Sequence, residues 1–242
     1  MKKLAAIVAM FAATSAFADP DGYFMFAVLN PGQLPTQTSV IYGGRFSAIF
    51  GACQRIYGID AGVAGRTFED AYGVQAGGLN IVDLDAAGLQ LGFLGNYVAV
   101  DFAGLQAGVY NSVRGATCGA EFGVLSFSNE LEGLQAGVYG RAAEFDGLQA
   151  NLLNVAGSGN GLQIGALNAS GARFGRFESA EAYLGDFNGA QIGVVNKAAS
   201  VHGVQIGVVN CAAELRGLQI GILNYIGDDG PLNVLPVANW RF

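Results

Sequence analysis

Gly203-Val204-Gln205-Ile206-Gly207-Val208-Val209-Asn210 decides how this chain is read. The same phrase stands as Gly217-Leu218-Gln219-Ile220-Gly221-Ile222-Leu223-Asn224 and as Gly161-Leu162-Gln163-Ile164-Gly165-Ala166-Leu167-Asn168. Following its glutamine gives Gln75, Gln90, Gln106, Glu121, Gln135, Gln149, Gln163, Phe177, Gln191, Gln205 and Gln219. The steps are 15, 16 and 15 residues and then seven of 14. Looser units at Arg45 and Asp60 precede the series, and Asn233, 14 residues after Gln219, is expected to close it. That makes 14 units, degenerate at both ends as the caps of a repeat array are.

Set the glutamine as position 0. Position −4 is bulky and apolar (Phe102, Leu131, Phe145, Phe187, Val201, Leu215), and position −3 is mostly polar. Position −2 is glycine, positions −1, +1 and +3 are aliphatic or alanine, and +2 is usually glycine. Position +5 is often asparagine: Asn80, Asn111, Asn154, Asn168, Asn196, Asn210 and Asn224. Position +7 is small or apolar. The alternation from −1 to +3 has period 2, which indicates a strand. Glycine every few residues would weaken a helix by about 1 kcal/mol each. The chain is therefore expected to be all-β, built of tandem 14-residue repeats.

Two architectures absorb such a repeat. In a β-solenoid each unit is one coil of a parallel stack, with a rise of about 4.8 Å. In an antiparallel outer-membrane-type β-barrel of about 14–16 strands each unit is a strand and a turn. Equal steps favour the solenoid, since stacked coils need equal length and no 28-residue alternation is present. Rows at −4, −1, +1, +3 and +7 would then enclose the core, and a charge at Ile206 would collapse its coil. Stacking would set Gln135, Gln149, Gln163, Gln191, Gln205 and Gln219 in one amide ladder. It would set Asn154, Asn168, Asn196, Asn210 and Asn224 in another. The barrel has its own support. Positions −4 to +5 match a tilted membrane strand, the chain ends Trp240-Arg241-Phe242, and Tyr23–Asn30 could be a closing strand. Against it, an apolar band of −1, +1 and +3 is only about 13 Å tall, short of the ~25 Å expected.

Residues 1–18 read as a secretory leader. Lys2 and Lys3 precede an apolar run from Leu4 to Ala13, and Ala16-Phe17-Ala18 supplies a cleavage site. Residues 19–242 then form a single β-repeat domain. It has degenerate N-terminal units at 38–72, regular repeats at 73–224 and a C-terminal cap or closing strand at 225–242. Without Lys2 and Lys3 the 12 basic residues become 10 against 19 acidic, a net charge of −9. That balance disfavours nucleic acid as a partner. Cys53, Cys118 and Cys211 are odd in number and fall at different repeat positions, so a disulfide framework is not expected.

Little of the sequence suggests chemistry. His202 is the single histidine and has no metal-ligating companion. Asp83 and Asp85 form a carboxylate pair, read as a solvated loop. Asp228-Asp229-Gly230 reads as a turn. Gly157-Ser158-Gly159-Asn160-Gly161 lacks the strand–helix context of a nucleotide loop, and Ser158 lies outside any nucleophile elbow. Neither catalytic residues nor a cofactor is expected. The tandem Gly-Leu-Gln-Ile-Gly-x-x-Asn units, the aromatic C-terminus and the opening Asn30-Pro31-Gly32-Gln33-Leu34-Pro35 resemble a family of bacterial surface-repeat proteins. That resemblance implies a cell-surface or outer-membrane address, a partner in the envelope, and a structural or adhesive role without catalysis. Were the barrel the fold, the role would be that of an integral pore or structural protein.

Overall fold

The structure is a computed structural model and describes residues 21–171, 185–227 and 233–241. The leader at 1–18, the unit around Phe177, the Asp228-Asp229-Gly230 turn and Phe242 lie outside those residues. The described residues contain no helix. Nine β elements follow one another. They are β1 (Asp21–Leu29), β2 (Gly32–Leu34), β3 (Val40–Cys53), β4 (Arg55–Thr67), β5 (Ala71–Val82), β6 (Ala86–Val98), β7 (Phe102–Ser170), β8 (Asp186–Ile226) and β9 (Val234–Arg241). β7 and β8 each run without a break through several coils. The chain divides into two compact units, Met1–Gly115 and Ala116–Phe242.

The fold is a β-solenoid, and the barrel considered from the sequence is not formed. In the first unit β3, β4, β5, β6 and the start of β7 stack in parallel. Arg45, Asp60, Gln75, Gln90 and Gln106 stand one above another. The single 16-residue step is a bulge between Gly92 and Gly95 that turns Phe93 and Leu94 outward. The stretch Tyr23–Asn30 closes no barrel. β1 pairs in parallel with β3, and β2 folds back antiparallel on its other edge. In the second unit Gly159–Ser170 stacks directly on Phe187–Ala198. The ladder thus passes straight from Gln163 to Gln191, and the unit counted at Phe177 lies outside the described residues. Asn233 does not close the series either. β9 runs antiparallel to the end of β8 and sets Asn239 opposite Gln219. Counting in fourteens fails there because the chain reverses. An antiparallel strand also ends the open parallel edge.

Each coil has two interior compartments. The apolar one joins positions −4 and +7. In the second unit Leu131, Phe145, Phe187, Val201 and Leu215 face Ala142, Ala156, Ala198, Ala212 and Ile226. In the first unit Ala71 and Ala86 are the small partners and Val82 and Val98 the larger ones. Phe145 and Phe187 stack at 5.9 Å across the intervening coil, whose −4 residue is Gly159. A Cβ on Gly159 would run into the Phe145 ring.

The other compartment is polar, and it overturns one expectation. Positions −1, +1 and +3 do not enclose the core. Gln205 is fully buried, while Ile206 is 41% exposed and Val208 44%. The interior is an amide one, and the branched aliphatic side chains stand outside. This is affordable only because the amides satisfy one another. Each glutamine donates Nε2 to the Oε1 of the coil before it, at 2.7 Å for Gln191–Gln163, Gln205–Gln191 and Gln219–Gln205. Each asparagine donates Nδ2 to the Oδ1 of the coil after it, at 2.8 Å from Asn154 through Asn224. The second Nδ2 proton goes to the backbone carbonyl at +1 of the following coil, such as Ile206 or Ile220. The two rows of amide dipoles therefore run in opposite senses.

Candidate functional site

The glutamines and asparagines singled out in the sequence are brought together in the structure, and their partners are one another. Glycine makes room for them. At −2 the glycines of the second unit's coils hold φ between 128 and 148°, a region that favours glycine. At +2 a Cβ would collide with the asparagine row. At Gly207 it would lie 2.6 Å from Asn196 Nδ2. One coil exchanges the roles. Gly140 stands where the asparagine is expected, and Asn151, at +2 of the next coil, occupies the space instead. It donates to Asn154 at 2.8 Å.

The departures from glutamine explain themselves as the first rungs of donor-to-acceptor rows. Every glutamine of the position-0 row donates backward, so a first rung needs only to accept, and a carboxylate does that. In the second unit this is Glu121. Its Oε1 accepts from Thr117 and Ser128, both at 2.8 Å, and its Oε2 accepts from Gln135 at 2.9 Å. In the first unit it is Asp60, which accepts from Gln75 at 3.1 Å. Below Asp60 lies Arg45, also buried. Its Nε donates to Asp60 at 2.8 Å, and a second nitrogen makes a shorter contact with the other carboxylate oxygen. A third nitrogen donates to Cys53 Sγ at 3.0 Å and to the Arg66 carbonyl at 2.7 Å. Burial alone would lower the Arg45 pKa. The Asp60 carboxylate, by charge and hydrogen bond, and then Cys53 outweigh it, and the net shift is upward. Sequence reading placed Arg45 and Asp60 in register and did not foresee that they pair inside the coil.

Function must then be sought on the outside. The −5 and −3 rows of the second unit carry Glu130, Glu132, Glu144, Asp146 and Asp186, which line a groove of about 380 Å³ together with Asn160 and Asn188. Asp83 and Asp85 do not converge. Asp83 pairs with Arg66 at 2.8 Å, and Asp85 accepts from the Asp101 backbone N–H at 3.1 Å. His202 is half-buried beside Ser200, Glu214 and Arg216. Among the described residues no three His, Cys, Asp or Glu side chains are placed to hold a metal ion.

The opposite exterior is uncharged. From −1 to +4, leaving out the buried position 0, every described coil from Gly44–Ile49 to Leu218–Leu223 lacks Asp, Glu, Lys, Arg and His; the unit at Phe177, outside the described residues, carries Arg176 and Glu178. In the second unit this face is corrugated. Ile164, Ile192, Ile206 and Ile220 form one ridge, and Ala166, Val194, Val208 and Ile222 form another. Between them runs a glycine-floored trough of about 1000 Å³, with Pro236 and Val237 also in its lining. Exposed apolar patches of this extent mark interaction surfaces. The sequence held this signal. Positions −4, −2 and 0 share a parity, so a bulky apolar row at −4 beside polar −3 already put position 0 inside and ±1 outside.

The three cysteines are unbonded and differ in access. Cys118 is exposed, Cys211 half-buried and Cys53 buried. Burial pushes the Cys53 thiol up, Arg45 opposes, and Asp60 adds to the rise. At pH 7.5 an alkylating reagent is expected to label Cys118 in the native protein and Cys53 only after denaturation, as read by peptide mass spectrometry. Equal native labelling of both would contradict the placement of Cys53 in the interior. Compared with family models, with curated proteins and with solved structures, the chain finds no match in any of the three.

Proposed function

We propose that this chain is an exported, non-enzymatic scaffold of the bacterial envelope, which works through a face and not through a pocket. The observation that carries the reading is the exposed face from −1 to +4, which in the described coils carries no charge outside the buried position 0. A solenoid that keeps its amides inside and its isoleucines outside has inverted the usual arrangement. Such an inversion serves contact along a row. The repeat multiplies one weak apolar contact coil by coil on a rigid frame, so many small contributions add without any single strong site. The address rests on the leader-like residues 1–18 and on the resemblance of the repeat and both chain ends to surface-repeat proteins.

The full-length chain produced in a Gram-negative host, followed by fractionation, tests this. The expected product is an envelope fraction whose protein begins at Asp19 by mass spectrometry. A cytosolic product that keeps Met1–Ala18 would sink the reading.

A further inference from the structure

We propose that the ridged apolar face of the second unit docks a second copy of this chain, face to face. The inference rests on the reading of that face as the working surface. Shape, charge and area all favour a second copy as the occupant. Residues at +1 and +3 on a strand are about 6.6 Å apart, and the glycine between them leaves a furrow one side chain wide. A copy turned by a two-fold axis presents the same ridges and the same furrow, so the valine ridge of one seats in the trough of the other. Packed sheets reach about 10 Å separation in this way.

The chain carries a net −7, so copies repel wherever acidic rows meet. Glu130, Glu132, Glu144, Asp146 and Asp186 lie on the −5 and −3 rows, away from positions −1 to +4. Among the described residues the −1 to +4 face carries no charge outside the buried position 0, so two copies can approach there without like charges meeting. The same deficit of Lys and Arg removes the attraction that would draw the face to an anionic lipid surface.

From Glu121 to Gln219 the second unit stacks seven described coils. Six spacings of ~4.8 Å by five residue steps of ~3.3 Å give roughly 500 Å² of face. Two copies together cover roughly 1000 Å², the lower bound for a well-matched specific interface. Ridges and furrows add to that projected figure.

The test uses the full-length chain made with its own leader and purified without detergent. Sedimentation equilibrium is run on the native chain and on Ile192→Glu with Ile206→Glu. The native chain is expected to be dimeric, and the double variant to dissociate at least 100-fold more readily with an unchanged circular dichroism spectrum. Asn188→Glu adds a charge on the acidic side and is expected to leave the dimer in place. A Val208→Cys chain is expected to cross-link to its copy under mild oxidation. If the native chain is monomeric at all concentrations, the inference fails. A monomer that also floats with phosphatidylcholine vesicles through Ile192 and Ile206 keeps the face as the working surface but assigns it to lipid. A monomer that binds neither copy nor vesicle overturns both readings.

Discussion

An Arg45→Ala chain will be about 3–5 kcal/mol less stable than the native one, the cost of leaving a buried charge without its partner. Arg45 and Asp60 are both inside the first unit, 2% and 3% exposed. With the guanidinium gone, Asp60 keeps only the hydrogen bond from Gln75. The Cys53 sulfur and the Arg66 carbonyl lose a donor as well. The loss should be the same at pH 6 and pH 8. The Arg45 pKa is raised on folding, and a raised basic group contributes its full stability below its unfolded value, which for arginine lies far above this range. Urea unfolding and hydrogen exchange through β3, β4 and β5 measure the effect. A second variant separates loss of the pair from a general failure to fold. Arg45→Gln with Asp60→Gln extends the amide row by two neutral rungs and is expected to recover most of the loss. If Arg45→Ala costs under 1 kcal/mol, the pair does not hold the start of the ladder.

That pair also shows how far the sequence carried. The step of 14 or 15 residues placed Arg45 and Asp60 under Gln75 because stacked coils must keep equal length, and the register agrees. The glutamine and asparagine rows were legible for the same reason. Which side of the strand faced inward was misjudged. Alternation alone fixes two parities, and their sense had to be taken from the bulky −4 row, which shares its parity with position 0. Assigning Leu, Ile and Val to the interior follows transfer energetics, which penalise a lone buried amide by roughly 1–3 kcal/mol. An amide between two others of its kind escapes that penalty, and only the stack supplies those neighbours. The consequence for Ile206 is the reverse of the collapse expected from sequence. A charge there should leave the coil intact and alter only what the face can touch. The ends were illegible for a different reason. A repeat count cannot see a reversal, and β9 reverses on residues that carry no repeat signal.

The glycine at −2 should tolerate replacement least of all. Gly203 combines φ of 148° with a backbone approach that leaves no space, since a Cβ would fall well under 3.0 Å from the Gly189 carbonyl oxygen. Two costs therefore add. Holding an alanine in that region is worth about 1–3 kcal/mol, and forcing an atom into the packed backbone column about 1–3 kcal/mol more. Gly203→Ala is expected to destabilise the second unit by roughly 2–6 kcal/mol on those terms. The column cannot yield locally, because Gly217 stands on Gly203 as Gly203 stands on Gly189. Displacing one coil also pulls Gln205 from Gln191 and Gln219, and Asn210 from Asn196 and Asn224. Val204→Ala, one residue along and directed outward, is the control, expected within about 1 kcal/mol of the native chain. Thermal unfolding of the two variants side by side decides the matter. Equal melting temperatures would mean that the glycine column is not what sets the spacing of the coils. A large loss in Gly203→Ala alone ties the sequence's most regular feature to the close stacking that brings the amides within reach of one another.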